Sequence, residues 1–465
     1  MNALGIPIQM KIAPPLDPDF IPAALANRAF QKAVAESGQG VPLAIAVERN
    51  DGLVSTYHTQ VFAEGTKGAE NNNFYVERLV KMLLWSRGGF RVYIGGPKSI
   101  GEYIKNAYKP DGLRAFDEKF MARVYERPFE VIVTDADKIP AAKESTHPIG
   151  RHLKGCRIGF DAGGSDRKVS AVIDGQAVYS EEVVWHPKVQ TDPAYHYQEI
   201  LTAMKTAAAH MPRVDAIGVS AAGIYINNRV MVASLFIKVP DDVFEKKVKN
   251  IFLDIQKEMG NVPLVVANDG DVTALAGAME LNDTNVLGIA MGTSEAGGYI
   301  DSHGNITGWL NELAFAPVDY NDAAMVDEWS GDFGCGVKYF SQDGVIKLAP
   351  AAGIVLDEKL TPAEKLKVVQ ELHLKGDQRA EQIFASIGVY LGYTLAHYAD
   401  FYDIKHVLIL GRVTSGPGGN LILEKARKVL EVEFPELAEK IKLHLPDEAN
   451  RKVGQSIAAA SLPEL

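Results

Sequence analysis

The chain has 465 residues, of which 47% are hydrophobic, and it carries 48 Lys and Arg against 59 Asp and Glu. This length predicts about three domains, and two cysteines, Cys156 and Cys335, are too few for a disulfide framework or a cysteine-rich metal cluster. The net negative charge is located after residue 150, where there are 30 basic and 42 acidic residues. We therefore expect no nucleic-acid partner.

The first 150 residues predict a small α/β domain to which the sequence assigns no role. Residues 1–7 lack the basic and apolar stretches of a targeting signal, and no run of 18 apolar residues follows, so we expect a cytoplasmic protein with no membrane partner. A proline-rich arm over 12–20 precedes a hairpin around Asn50-Asp51-Gly52. Alternating helix-like and strand-like segments follow at 74–85, 90–94, 98–107, 113–124 and 129–134. Residues 138–155 are the predicted linker to the rest of the chain.

A second α/β pattern begins at residue 157. Three strand-like runs, 157–161, 168–173 and 177–185, predict a meander. A helix over 194–210 and a buried strand over 214–219 come next, followed by a helix with Asp241 and Asp242 at its N-terminus and an apolar face from Phe244 to Met259. A strand over 263–267 then brings Asn268-Asp269-Gly270-Asp271 to its carboxyl end, which is where open α/β sheets place their chemistry.

Two short glycine turns are set in matching hairpins. The first, Gly163-Gly164-Ser165, follows a strand ending at Asp161, and the second, Gly292-Thr293-Ser294, follows a strand from 286 to 291. Small residues at these turns can adopt φ > 0 and leave backbone N–H groups unobstructed. Two such loops facing each other would hold a polyphosphate from both sides. The sequence therefore predicts phosphoryl transfer that depends on a nucleotide.

The order of these segments resembles the ROK family of bacterial sugar kinases and repressors, within the actin-like superfamily of two-lobed ATPases. The resemblance covers roughly residues 157–460, and no single motif is specific, but six occur in the family's order. They are Asp161 to Ser165, Asn268-Asp269, the connecting helix 272–280, Gly292 to Gly298, Glu312 to Asp319, and Gly411 to Gly419.

This resemblance implies an α/β fold with two RNase-H-like (actin-like ATPase) lobes and an interlobe cleft, preceded by a small α/β N-terminal domain. We expect the N-terminal domain at 1–150, the first lobe at 151–270 with a returning C-terminal helix at 450–462, and the second lobe at 271–449. The implied activity is ATP-dependent phosphoryl transfer to a hydroxyl of a sugar or polyol, by a protein that forms a homo-oligomer.

Each motif then has an implied role. Asp269 is the catalytic base that takes the proton of the acceptor hydroxyl, and Asp161 holds Mg²⁺ through water. The phosphate loops are Gly163, Gly164, Ser165 and Gly292, Thr293, Ser294, and the adenosine side is Gly411, Gly416, Gly418 and Gly419. The sugar-binding residues are Gly223, Asn268, Asp269 and Glu312.

The residues alone leave simpler interpretations open. Asp269 also fits a helix N-cap, Asp161 a turn, and the glycine loops plain hairpin turns. Glu312 also fits a solvated loop. Trp309 would stack on a sugar or pack in the core, Cys335 is a turn residue and not a nucleophile, and His397 and Tyr398 serve packing.

Two departures from the family pattern bear on metal and substrate. Phe315 stands where the family has a zinc-ligand histidine, and Val337 stands two residues after Cys335 in place of a glutamate. One cysteine cannot supply a tetrahedral zinc site, so we expect no zinc. The acceptor is left open, and so is a catalytically inactive protein that senses a sugar or nucleotide. A repressor with an N-terminal helix-turn-helix and an iron–sulfur ATPase activator of a dehydratase fit the sequence less well.

Overall fold

A computed structural model describes residues 2–144, 148–446 and 448–465. The N-terminal region is built on a four-stranded sheet in the order β4-β3-β5-β6. Its elements are β1 (Asn2–Ala3), β2 (Ile6–Pro7), α1 (Ala23–Ser37), β3 (Gly40–Glu48), β4 (Val54–Phe62), α2 (Asn72–Arg87), β5 (Arg91–Gly95), α3 (Lys98–Ala107), α4 (Ala115–Tyr125) and β6 (Glu130–Thr134). The predicted hairpin is confirmed, with Glu48 paired to Val54 across the turn. Part of the predicted linker, 145–147, lies outside the described residues.

The first lobe carries a five-stranded sheet in the order β13-β10-β7-β8-β9. Its elements are β7 (Cys156–Ala162), β8 (Asp166–Ile173), β9 (Gln176–Val184), α5 (Ala194–Ala208), β10 (Ala216–Ala221), β11 (Ile224–Ile226), β12 (Arg229–Val232), α6 (Asp241–Val243), α7 (Ile251–Glu258) and β13 (Leu264–Asn268). The segment predicted to form a helix up to Met259 is mostly helical but is not one unbroken α-helix. A π-helical turn, Phe244–Val248, and a break precede α7, where the Lys249 carbonyl accepts a hydrogen bond from Val230 N–H of β12 instead of continuing the helix.

The second lobe carries a four-stranded sheet in the order β15-β14-β16-β17. The remaining elements are α8 (Asp269–Leu281), β14 (Val286–Met291), β15 (Glu295–Ile300), α9 (Gln342–Leu348), α10 (Pro362–Leu374), α11 (Gln378–Tyr398), β16 (His406–Leu410), α12 (Pro417–Glu433), α13 (Pro435–Lys440), β17 (Lys442–His444) and α14 (Glu448–Ala460). As the resemblance implied, α14 returns to the first lobe, where Gly159 of β7 and Gly218 of β10 let its backbone approach the sheet.

The N-terminal region shares its apolar core with the second lobe. One continuous cluster of buried side chains includes Phe30 of α1 and Val92 of β5 together with Ile289 and Tyr390 of the second lobe. The predicted arm lies along α11, where Phe20 is buried against Tyr390 at a ring distance of 4.7 Å. Because such a core cannot be divided without exposing it to water, it argues against separate folding of the first 150 residues.

A buried cluster of six charged side chains joins the same two parts. Arg78, Lys81 and Arg114 of the N-terminal region lie with Glu77, Asp117 and Asp332, and each side chain is at most 4% exposed. Asp332, from the second lobe, contacts Arg78 at 2.9 Å, Lys81 at 2.9 Å and Arg114 at 2.8 Å. Three positive and three negative groups balance one another, which is the condition under which buried charges are tolerated.

Candidate active site at the carboxyl ends of the strands

Three parallel strands of the first lobe end side by side. Ser220 of β10 is paired with Asp161 of β7, and Ala221 is paired with Asn268 of β13. The carboxyl ends of parallel strands meet at one edge of a sheet. The predicted residues Asp161 and Asn268-Asp269 therefore lie at the same edge.

Asp161 is a buried carboxylate inside the end of β7 and does not form a turn. Ser220 Oγ donates to its Oδ1 at 2.8 Å, and Lys168 Nζ lies 3.8 Å from Oδ2. Burial raises the pKa of Asp161 to about 6, although the Ser220 hydrogen bond and Lys168 oppose this and the Asp269 charge adds to it. Asp161 is therefore mostly ionised at neutral pH.

The helix N-cap, a role that the sequence left open for Asp269, is Asn268 in the structure. Asn268 is the N-cap of α8, with its Oδ1 accepting from Gly270 N at 2.8 Å and its Nδ2 donating to the Gly223 carbonyl at 2.7 Å. Asp269 is the first helical residue, and its Oδ1 also accepts from Gly270 N at 3.0 Å. Burial raises the pKa of Asp269, and Lys188 opposes that rise.

Carboxylates gather around Asp269. Burial raises the pKa of Asp161 to about 6 and those of Asp271 and Glu312 to about 7, and the charge of Asp269 adds to each rise. Glu312 is half-buried and not the solvated loop residue of the simpler interpretation. A site with several carboxyl groups that titrate near neutral pH can hold, accept and release protons.

The first glycine loop offers unpaired backbone donors. Trp185 fixes the loop, because its Nε1 donates to the Gly163 carbonyl at 2.7 Å and its backbone N–H to Ser165 O at 3.2 Å. The N–H groups of residues 163–165 make no hydrogen bond to a described residue. Neither Gly163 nor Gly164 has φ in the left-handed region, so the expectation that these glycines are needed for φ > 0 is wrong. A side chain would be crowded at both positions. A Cβ at Gly163 would lie 2.6 Å from the Asp166 carbonyl oxygen, and a Cβ at Gly164 would lie 2.9 Å from Lys188 Nζ.

The second glycine loop has an open face. Gly292 N–H is used within the loop, donating to Ser294 O at 3.0 Å, while Thr293 N–H and Ser294 N–H have no partner among the described residues. As in the first loop, none of the residues 292–294 has φ > 0. A Cβ at Gly292 would meet nothing nearer than 3.8 Å. Space for a ligand therefore remains directly above this loop.

The predicted adenosine loop lies beside the second glycine loop. β16 runs parallel to β14, with Leu410 paired to Ala290, and Arg412 Nη2 donates to Thr293 Oγ1 at 2.7 Å. Gly411 has φ of 100° and Gly416, the N-cap of α12, has φ of 72°. Gly418 and Gly419 are buried and admit close packing against Phe384 and Thr414.

The N-terminal region holds the segment that carries Glu312. The N–H groups of Leu310, Asn311 and Glu312 donate to the carbonyls of residues 87, 86 and 85 at the end of α2, at 3.2, 3.0 and 2.9 Å. Phe315 packs against Trp85 of α2 at a ring distance of 4.3 Å. The position of Glu312 in the cleft thus depends on contacts with a region that the family resemblance does not cover.

The positions that the resemblance links to zinc are packed with apolar side chains. Phe315, Cys335 and Val337 belong to one cluster, and burial raises the pKa of the Cys335 thiol to about 12, which fits the turn residue and not a nucleophile. Over the described residues, no group of three or more His, Cys, Asp and Glu side chains has the arrangement of a metal site. His397 and Tyr398 are buried, as packing residues would be.

A cavity of about 350 Å³ opens next to Asn268. It is bounded by the N-terminal turn 49–53 with Tyr125, by residues 223–228 and 265–268 of the first lobe, and by 306–310 of the second. Gly223 and Asn268 line this cavity, whereas Asp269 and Glu312 do not. The structure thus brings two of the four predicted acceptor residues to the cavity.

Several residues of the site escaped sequence analysis. Lys188 lies beside Gly164 and within electrostatic reach of Asp269. Glu295 is buried at the start of β15, where burial raises its pKa to about 8. A lysine in an irregular loop and a glutamate after a glycine turn carry no periodic signal. The sequence carries a signal only for Glu295, because it is the one charged residue in the run of small residues from Gly292 to Gly298.

These elements define a two-lobed α/β protein with two glycine loops and several buried carboxyl groups at the carboxyl ends of its strands. Comparison of the sequence with protein families gives a match to the ROK family over residues 157–444, and the chain belongs to this family. Comparison with curated proteins gave no match.

Two solved structures illustrate the likeness of fold. A ROK hexokinase from Thermus thermophilus has a TM-score of 0.52 and 19% identity, over 66% of this chain and 97% of that one. A ROK family transcriptional regulator homologous to the MLC protein of E. coli has a TM-score of 0.53 and 18% identity, over 66% and 79%. The predicted architecture, two lobes of the actin-like ATPase type after about 150 N-terminal residues, is confirmed. Kinases and regulators share this fold, so activity must be argued from the site.

In the part of the chain that the structure describes, no helix has the length and apolar character needed to cross a bilayer.

Proposed function

We propose that the protein is an ATP-dependent kinase that phosphorylates a hydroxyl group of a sugar or related polyol. The supporting observation is the convergence at one sheet edge of Asp161, Asp269 and a glycine loop with three unpaired N–H groups. Phosphoryl transfer needs positioned donors for the phosphate charge and a carboxylate near the acceptor hydroxyl. The site has both.

In this proposal the phosphates lie between the two glycine loops. The N–H groups of Gly163, Gly164 and Ser165 and those of Thr293 and Ser294 bind phosphate oxygens, and Lys188 adds a positive charge. Gly411, Gly416, Gly418 and Gly419 shape the adenosine side. Asp161 is ionised and suits Mg²⁺ held through water, a metal that neutralises phosphate charge during transfer.

Asp269 accepts the acceptor's proton. Asn268 is fixed by Gly270 and Gly223 and holds the backbone at the start of α8. Glu312, whose pKa of about 7 allows it either to accept or to donate a hydrogen bond at neutral pH, orients the hydroxyl groups. We keep the prediction of a homo-oligomer in the cytoplasm, with sugar and ATP as ligands.

The experiment is ATP consumption against a panel of hexoses, amino sugars and polyols. General-base catalysis contributes roughly 10²–10⁴-fold, so Asp269→Asn should lower turnover by about that factor. Calorimetry should show little change in nucleotide affinity, because the base faces the acceptor. Asp242→Asn, an exposed carboxylate on α6, is the matched control. Turnover that Asp269→Asn leaves unaffected would remove this residue from the mechanism.

A regulator that binds ligands without turnover is the second candidate. Phe315 and Val337 replace two polar acceptor-side groups of the family pattern, and both lie in one apolar cluster. Wild-type protein that binds MgATP and sugar but transfers no phosphate to any member of the panel would favour this function.

A further inference from the structure

We propose that the N-terminal region forms one wall of the acceptor site, and that the cavity beside Asn268 binds an uncharged second sugar ring of the acceptor. This inference rests on the proposed function. It concerns the part of the acceptor that lies away from the reacting hydroxyl.

The position of the cavity supports an extended acceptor. Its volume of about 350 Å³ falls in the range of small-molecule sites, roughly 300–1,000 Å³. It shares Gly223 and Asn268 with the candidate acceptor residues, while Asp269 lies outside it. A molecule with one hydroxyl at Asp269 reaches this space by extending past Asn268, and a second ring linked to the first would fill it.

The lining has the chemistry that a sugar ring requires. Leu53, Ile224 and Leu310 offer apolar surface to the C–H faces of a ring, and Asn227 offers an amide to its hydroxyl groups. Among the described residues of the lining, Arg49 is the one cation. Its guanidinium is already paired with Glu144 at 2.5 Å and Ser55 at 2.8 Å.

The carboxylates of the lining exclude an anionic occupant and supply acceptors for hydroxyl groups. Asp51 is exposed at the tip of the N-terminal turn. Asp271 is 5% exposed, and its Oδ1 takes hydrogen bonds from Tyr299 N and Asn311 Nδ2, both at 3.0 Å. Its Oδ2 makes no hydrogen bond to any residue that the structure describes. This oxygen, on the lining of the cavity, is therefore open to accept a hydrogen bond from a sugar hydroxyl.

The wall is rigid before any ligand binds. Arg87 of α2 stacks on Trp309 with its guanidinium carbon 3.7 Å from the ring centre, and Trp309 Nε1 donates to Glu144 at 2.9 Å. On the other side, Glu126 after α4 pairs with Arg229 at 2.7 Å and Lys249 at 2.6 Å of the first lobe. The N-terminal region therefore holds both lobes around the cavity, and such preorganisation lowers the entropic cost of binding.

The test measures binding of monosaccharides and disaccharides by calorimetry. The probes are glucose, mannose and N-acetylglucosamine, each compared with its homodisaccharides, such as maltose, cellobiose and N,N′-diacetylchitobiose. We expect at least one disaccharide to bind ten times or more tightly than its monosaccharide. Leu53→Trp, which fills the cavity from the N-terminal turn, should abolish that preference and leave monosaccharide affinity within about twofold.

Two further variants make the result decisive. Ile226→Trp fills the cavity from the opposite wall and should have the same effect, so misfolding of one variant does not decide the outcome. Leu113→Trp, at a leucine that is 62% exposed and outside the cavity, should keep the preference.

Monosaccharides that are phosphorylated while no disaccharide binds more tightly would overturn this inference and leave the kinase proposal intact. A disaccharide preference that survives both cavity variants would also overturn it. Failure of every sugar to bind or react would overturn both proposals.

Discussion

Asp332→Asn tests whether the N-terminal region and the second lobe form one cooperative unit. Asp332 contacts three buried cations, and the substitution keeps the shape of the side chain while removing its charge. Arg78, Lys81 and Arg114 would then face two carboxylates, Glu77 and Asp117, with one positive charge left uncompensated.

The magnitude follows from the depth of this cluster. Removing one partner of a buried ion pair costs about 3–5 kcal/mol, because the remaining charge can neither be solvated nor be paired. Asp332 is 2% exposed and contacts three partners, so we expect a loss in this range from the free energy of unfolding. Typical total stabilities are about 5–15 kcal/mol, and such a loss is therefore easily measured.

Urea unfolding, followed by circular dichroism and tryptophan fluorescence, gives the result. Lys81→Met combined with Asp332→Asn restores the balance of charge and should recover more than about 1 kcal/mol. Asp343→Asn, which removes a carboxylate that is 33% exposed and paired with Lys338, is the control and should cost less than about 1 kcal/mol. A loss below 1 kcal/mol for Asp332→Asn, or an early transition confined to the N-terminal region, would refute the reasoning.

Four further predictions follow from the same structure. Gly292→Leu should abolish MgATP binding in calorimetry while the fold is kept, since a Cβ there meets nothing nearer than 3.8 Å. Gly164→Leu should also abolish binding, although its Cβ, 2.9 Å from Lys188 Nζ, requires that flexible side chain to move. Unchanged affinity in both would contradict the phosphate-loop assignment. Glu295 has a pKa raised by burial to about 8, so its stabilising effect is complete below about pH 4.5 and is lost as the pH rises through 8. Wild-type protein should therefore lose about 2–3 kcal/mol more than Glu295→Gln between pH 6 and 8.5 in urea unfolding, and parallel losses would disprove this. Elemental analysis after dialysis against a chelator should find no stoichiometric zinc, whereas one zinc per chain would oppose the prediction. A chain that begins at Gly155 should aggregate, because it exposes the shared core; a soluble, folded product would show that the N-terminal region is dispensable.

Sequence patterns identified those parts of the molecule that local physics determines. The β3–β4 hairpin follows from strand alternation around Asn50-Asp51-Gly52, and α3 matches its predicted bounds, 98–107. The sheet-edge position of Asp161 and Asn268 follows from their places at the ends of strands. The two glycine loops lie between the strands where the sequence placed them, but their glycines serve close approach and open space and not a left-handed backbone.

What sequence analysis missed depends on tertiary packing. The broken helix at 244–258 depends on one hydrogen bond from β12 to the Lys249 carbonyl. The pKa values of Glu295 and Glu312 depend on burial, which no local pattern encodes. Arg78 and Lys81 look like ordinary surface charges of a helix until Asp332, about 250 residues away, is brought beside them.

The residues at which the chain departs from the family pattern lie against the N-terminal region. Phe315 stands at the position of a zinc-ligand histidine and packs on Trp85 of α2. Cys335 lies next to Asp332, which pairs with Arg78 and Lys81 of the same helix. Contacts with α2 therefore help to fix the segment that carries Glu312. We expect that Phe315→His alone would not create a zinc site, because aromatic rings surround position 315 and Cys335 lies beside the ion pairs of Asp332.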